Sequence, residues 1–352
     1  MTEQLKQIRA EQQPTSNTQV RPGNRRRGKG RRRDEHQMVP DATFTSYYGR
    51  PVVKASPWEA DIPAYLFLGG LAAGSSLLGA GADLTGRAGL RKVGRIGALA
   101  AISASFVALV HDLGRPSRFI NMLRVAKPTS PMSVGTWILS AYGPLVAVAG
   151  VHEIIAPVAE SLPRPLRTPA RLLAGLARPS GVAAAVVAPT VAAYTGVLLA
   201  DTATPTWHAA HRELPFLFVG SAAAAAGGLG MLLAPAAEAG PARRMALGGA
   251  IIELGVERQM EAGMGITAEP LHTGVAGRLM RASKALTAAG ALGSLLARRS
   301  RVAAVASGVA LLAGSACTRF GIFEAGQASA RDPKYTVVPQ RERLARENRN
   351  GA

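Results

Sequence analysis

IPAYLFLGGLAAGSSLLGAGA, residues 62–82, runs 21 positions without a charged side chain. A bilayer's hydrocarbon core of about 30 Å needs roughly 20 mostly apolar helical residues to cross it, so this stretch is long enough to span a membrane. Three more charge-free stretches of comparable length follow at 128–152, 179–200 and 214–237. Across the 352 residues, 48% are hydrophobic, and they fall in long blocks instead of the short alternating runs of a soluble core. The class that follows is an all-α integral membrane protein. Stretches at 96–111 and 302–318 are shorter, but flanking Arg and Lys can snorkel to the interface and extend them. Residues 279–297 reach span length with Arg281 and Lys284 at the headgroups. The weakest candidate, 245–259, carries Glu253 and Glu257 and has an alternative reading as an amphipathic helix lying on the membrane. The count expected is about eight transmembrane helices, near 62–83, 96–112, 133–152, 181–200, 215–235, 245–259, 280–297 and 302–319, within a domain covering 46–325.

Both ends differ from this body. Residues 1–45 are polar, with eight Lys or Arg between Arg21 and Arg33, and read as a disordered basic arm. RRRGKGRRR (25–33) resembles a twin-arginine signal superficially, but the next long apolar segment begins about thirty residues later. The arm's expected contacts are membrane lipid or a protein partner, in preference to nucleic acid. Residues 326–352 read as a polar C-terminal tail. Heavy use of Ala, Arg and Gly points to a GC-rich bacterial genome, and hence to the bacterial plasma membrane.

Cys317 is the one cysteine, so the protein cannot hold an iron-sulfur cluster on its own thiolates or form an internal disulfide. His111 and His152 end successive spans that run in opposite directions, which places them at opposite faces and prevents them from sharing a haem. His208 and His211, spaced HxxH, have no nearby carboxylate or thiol to complete a metal site. No haem, cluster or metal of the protein's own is expected.

Threading eight spans alternately through the bilayer makes its two faces unequal. One collects both tails together with Trp58, Asp61, His111, Asp112, Arg115, Trp137, Asp201, Trp207, His208 and Arg319, including all three tryptophans. The other carries TGRAGLRK, the Pro- and Arg-rich stretch 157–179, PAAEAGPARR and RRSR, which read as snorkelling charges and turns. An aromatic belt would decorate both interfaces, so the asymmetry points to a site. Within it, HDLGRPSRF (111–119) ends an apolar helix: Gly114 suits the left-handed closing position, Pro116 blocks continuation, and an Asp112–Arg115 ion pair would complete a cap. A cap accounts for the Gly and Pro. It does not account for His and Asp side by side at the membrane edge, where ionisable groups are costly and usually functional. Gly69, Gly70 and Gly74 have the spacing that lets another helix approach closely.

WEADIPAYLFLGGLAAGSSLL (58–78), HDLGRPSRFINMLRVAKPTSPMSVGTW (111–137), YTGVLLADTATPTWHAAHRELPFLFVGSAAAAAG (194–227) and RFGIFEAGQASARDPKYTVVPQR (319–341) occur in order, each at a span boundary. Together they resemble the NrfD/polysulfide reductase membrane-subunit family over about 47–341. The resemblance implies two four-helix bundles and a site for quinone, menaquinone being the expected form, near the face where an iron-sulfur subunit docks. It also implies a four-cluster ferredoxin-like subunit and a molybdopterin catalytic subunit as partners. Such a site needs an apolar slot, hydrogen-bond partners and a titratable group open to water. His111 and Asp112 fit the last two roles, Tyr65 the second carbonyl, Trp137 a wall of the slot, and Arg115 the orientation of Asp112. Trp58, Asp61, Trp207, His208 and Arg319 are the expected docking residues. Glu253 and Glu257, four apart on one helix face, are candidates for a proton path. Two rival classes remain open on the residues alone: a secondary transporter, for which no internal repeat is evident, and a proton conductor.

Overall fold

The computed structural model describes residues 50–161 and 163–350, which are helical with no strand among them. The basic arm expected at 1–45 lies outside the described residues. The long helices are α1 (Asp61–Leu84), α2 (Ala88–Asp112), α3 (Pro131–Ile155), α4 (Arg164–Ala200), α5 (Leu214–Leu233), α6 (Gly240–Gly263), α7 (Gly274–Leu296), α8 (Arg301–Arg331) and the polar α9 (Lys334–Asn350). Local chemistry sets their ends. Proline sits in the first turn of α3, α4, α5 and α6, where its missing N–H costs nothing. The Ser300 hydroxyl accepts the Ala303 N–H at 3.2 Å and caps α8. Gly86, at φ +69°, allows the tight turn between α1 and α2.

α1 to α4 pack as one bundle and α5 to α8 as a second, with α1 and α4 laid against α5 and α1 also touching α8. Apolar side chains gain little by leaving lipid for protein, so close backbone approach has to hold such helices together. Small residues provide it: Gly94 meets the Gly79 backbone, Gly227 meets Ala242 and Ala246, and Gly249 meets Gly220 and Ala224. The expected approach at Gly70 and Gly74 is present and joins the bundles, since both face Ala222 of α5.

Six of the helices, α1 to α5 and α8, are long and apolar enough to cross a membrane by length and composition. α6, with four charged residues in its central stretch, and α7, less apolar along its length, fall outside that group, yet neither lies apart from the bundle. α6 packs against α5 with Glu253 and Glu257 buried, unlike a helix floating on a membrane surface.

Several boundaries differ from the expected ones for a common reason. α2 starts at Ala88, not near 96, because Arg91 and Arg95 are neutralised by Asp83 and Glu153. α4 absorbs most of the 157–179 stretch expected to be turns: Leu, Ala and Arg between its prolines favour helix, and Pro169, Pro179 and Pro189 sit inside it. α8 continues to Arg331, so Arg319 lies in mid-helix instead of at a span end. The 326–352 segment, expected to be a tail, contains the end of α8 and the whole of α9.

Candidate functional site

One end of the fold is tied together by contacts distant in sequence. Trp58, just before α1, stacks on Trp207 with ring centroids 6.1 Å apart. Trp207 is fully buried, donates its indole N–H to the Ile322 carbonyl at 2.8 Å and packs on Phe323. The Thr206 hydroxyl donates to the Thr267 carbonyl at 2.9 Å, and Gln327 donates to the Ser56 carbonyl at 3.1 Å. Lys334 pairs with Glu269 at 2.9 Å, and Glu269 holds the Lys334 ammonium protonated well above its ordinary range. The residues around Trp58, His208, His272 and Lys334 therefore share one face, the one the alternation of spans predicts. Trp207 supports that face from inside. His208 bonds the Ala200 carbonyl at 3.2 Å and His211 the His208 carbonyl at 3.0 Å, so the HxxH rings stack on each other instead of converging.

At the same end, α2 finishes against the start of α1. His111 Nδ1 meets Asp61 Oδ2 at 2.8 Å. The carboxylate accepts, so Nδ1 carries the proton and Nε2 is left for a bound molecule. Asp112 lies close to the Glu59 backbone N–H and shares the neighbourhood with Asp61 and Glu59. The expected Asp112–Arg115 ion pair does not form: Arg115 is exposed, and the ion pairs among the described residues do not join it to Asp112. Gly114 takes φ +65° and its N–H reaches the His111 carbonyl at 3.0 Å, the helix closure its position predicts.

Beside this cluster lies a cavity of about 420 Å³ walled by Phe106, Val107, Val110, His111 and Gly114. Phe119 from the following turn packs edge-on against Phe106 at 5.1 Å. Val107 is 70% exposed, so the apolar side of the cavity opens outward. The volume suits a small planar molecule, and apolar walls with one convergent polar group are what such sites show.

The other residues expected here are placed apart from that cavity. Tyr65 is buried in the core, where its carbonyl accepts from the Ser105 hydroxyl at 3.1 Å. Trp137 is half exposed and reaches the Val125 carbonyl at 3.4 Å, against the loop before α3. Asp61, expected as a docking residue, is the partner of His111.

Arg319, expected as a docking residue, lies inside the protein. It is fully buried, donates to the Phe218 carbonyl at 2.8 Å and sits 3.8 Å over the Phe218 ring. Glu253 is buried nearby and accepts from the Thr318 hydroxyl at 2.6 Å. At the opposite end of the first bundle, Arg95 is 6% exposed between Asp83 (2.9 Å) and Glu153 (3.0 Å). These charges, expected to snorkel, are paired inside the protein. The signal available was the Arg91–Arg95 spacing, which puts both guanidinium groups on one helix face. A larger cavity of about 720 Å³ lies toward that same end between α1, α2 and α5, with Lys92 as the one ionisable residue of its wall.

A family model described as polysulphide reductase, NrfD, matches residues 52–247. The C subunit of polysulfide reductase from Wolinella succinogenes is 32% identical over 149 residues, a match covering 40% of this protein and 47% of that one. The match thus spans about half the length of that curated relative.

Proposed function

We propose, from the premise that this protein belongs to the polysulphide reductase NrfD family, that it is the quinone-reactive membrane anchor of a molybdopterin and iron-sulfur oxidoreductase. In this reading α1 to α8 all cross the bacterial plasma membrane. The Trp58–Trp207–Lys334 face receives a four-cluster ferredoxin-like subunit, which passes electrons between a molybdopterin catalytic subunit and menaquinone. The observation that carries the proposal is the apolar cavity ending at His111, whose imidazole is held by Asp61 at the end of the fold that also carries Trp58.

Interconverting a quinone and its quinol moves two protons along with two electrons, and the protein's part is to deliver or remove protons at defined atoms. Phe106, Val107 and Val110 hold the ring by apolar contact. His111 Nε2 hydrogen-bonds the nearer oxygen and exchanges a proton with it, while Asp61 stabilises the imidazolium that results. Asp112, beside His111 and within reach of water, replenishes or removes that proton. The test is His111→Phe in the assembled complex. Electron transfer to quinone should fall by roughly the 10²- to 10⁴-fold associated with losing a general acid or base, while the partner's reduction of an artificial dye is unchanged. Normal quinone turnover in that variant would refute the assignment.

A further inference from the structure

The second bundle contains a line of polar groups that the quinone site does not use. Glu253, Glu257 and Glu261 recur every fourth residue along one face of α6, covering about 12 Å at 1.5 Å per residue. Glu261, at the end of α6, lies on the docking side: its Oε1 is 2.8 Å from Lys284 Nζ and its Oε2 is 3.9 Å from the half-exposed His272 ring. One turn deeper, Glu257 is buried with Lys284 Nζ 3.6 Å away, an ion pair too long to be a hydrogen bond. A further turn in, Glu253 Oε1 accepts from Thr318, whose hydroxyl is 2.6 Å from Ser283 Oγ. The buried Ser221 hydroxyl, which donates to Ser315 at 2.8 Å, also neighbours this carboxylate. Arg319 supplies the opposing charge from α8.

A crosslink built for stability would satisfy its members, because breaking or half-satisfying a buried ion pair is expensive. This cluster leaves four of its polar atoms without a hydrogen bond. Glu253 Oε2, Glu257 Oε1, Arg319 Nε and Arg319 Nη1 are all buried without a hydrogen-bond partner. These two carboxylate oxygens lie on consecutive turns of the face that reaches the docking side through Glu261. The unpaired guanidinium nitrogens lie at the inner end, where Arg319 also touches α1 at Gly70 on the bundle interface.

We propose that this line is a proton half-channel that opens on the docking face at Glu261, Lys284 and His272 and ends at a proton-loading site, Glu253, opposed by Arg319. A proton taken from water by Glu261 moves to Glu257 Oε1 and then to Glu253 Oε2. No bond other than O–H is made or broken, and the fixed cation of Arg319 balances the carboxylate left when the proton leaves Glu253. Lys284 holds the outer two carboxylates as a gate. Thr318 and Ser283 fix Glu253 by Oε1, which leaves Oε2 as the atom that exchanges. The proposal is independent of the quinone assignment and its test needs neither quinone nor partner.

Infrared difference spectra of the full-length protein in lipid nanodiscs, recorded through a pH titration in H₂O and D₂O, read the protonated carboxyl directly. The expected result is a carboxylic-acid carbonyl band that titrates reversibly, shifts in D₂O and is absent in Glu253→Gln. In Glu257→Leu the band should remain but its deuterium exchange should slow at least tenfold. Should Glu253→Gln fail to fold, Thr318→Val decides: loss of the hydroxyl bond to Oε1 should move the same band. Identical spectra for the wild-type protein and Glu253→Gln, unslowed exchange in Glu257→Leu, or an unmoved band in Thr318→Val would overturn the proposal.

Discussion

Gly74→Ala measures how tightly the two bundles are joined. A Cβ at position 74 would lie 2.6 Å from the Ala226 Cβ and 2.7 Å from the Ala222 carbonyl oxygen. Ordinary contact between such atoms is about 3.5–4.0 Å, so α1 would have to withdraw from α5 by about 1 Å. Neither obstructing atom can move aside by a rotamer change. Overpacking of this kind costs about 1–3 kcal/mol, and alanine's better helix propensity returns up to about 1 kcal/mol. Gly81→Ala isolates the second effect, because a Cβ there meets nothing within 4 Å. The difference between the two variants should therefore be about 1–3 kcal/mol, with Gly74→Ala the less stable, which is roughly 5- to 150-fold in the unfolding equilibrium. Titrating each purified variant in mixed micelles with a denaturing detergent, followed by tryptophan fluorescence, measures that difference. Equal stability of the two variants would refute the close packing of α1 on α5.

Asp112→Asn keeps the size of the side chain and an acceptor oxygen but loses the titratable group. Assembly should survive while quinone turnover falls by roughly 10²- to 10⁴-fold and dye reduction is preserved; a parallel loss of both activities would assign Asp112 a purely structural role. Trp207→Ala removes a fully buried ring that anchors Trp58 and Phe323, and should cost about 3–5 kcal/mol in the same detergent titration. Crosslinks from the iron-sulfur subunit should map near Trp58, Arg124 and Lys334, and a concentration at Arg87–Arg95 or Arg164–Arg178 would reverse the docking face. The protein purified alone should show neither a reduced-minus-oxidised haem band nor stoichiometric iron.

What could be read from the sequence, and what could not, divides by how local the cause is. The long apolar runs at 62–82 and 214–237 announce helices because span length is a property of one segment. Gly114 closes α2 where its neighbours say it should. The face carrying Trp58 and His208 follows from counting crossings. By contrast, the Asp61–His111 bond joins residues fifty positions apart, and nothing in either segment names the other. Arg319 has the look of a span boundary because an arginine is costly in lipid; the structure neutralises that cost with Glu253 and the Phe218 carbonyl and ring, partners on other helices. Arg91 and Arg95 mislead about the boundary of α2 in the same way. Proline in α4 misleads through its local meaning, since it usually signals a turn and here is accommodated inside a helix.

The central claim is that the ring of the quinone lies in the cavity beside His111. Photolabelling the assembled complex in native membranes with a photoreactive quinone, followed by peptide mapping, tests it most directly because the fold offers a larger rival cavity. The account predicts label on the peptide containing Phe106, Val107 and Val110, competed away by excess quinone and reduced in His111→Phe. Label concentrated on Val93, Ile96 and Leu229, which wall the cavity of about 720 Å³ near Lys92, would contradict it.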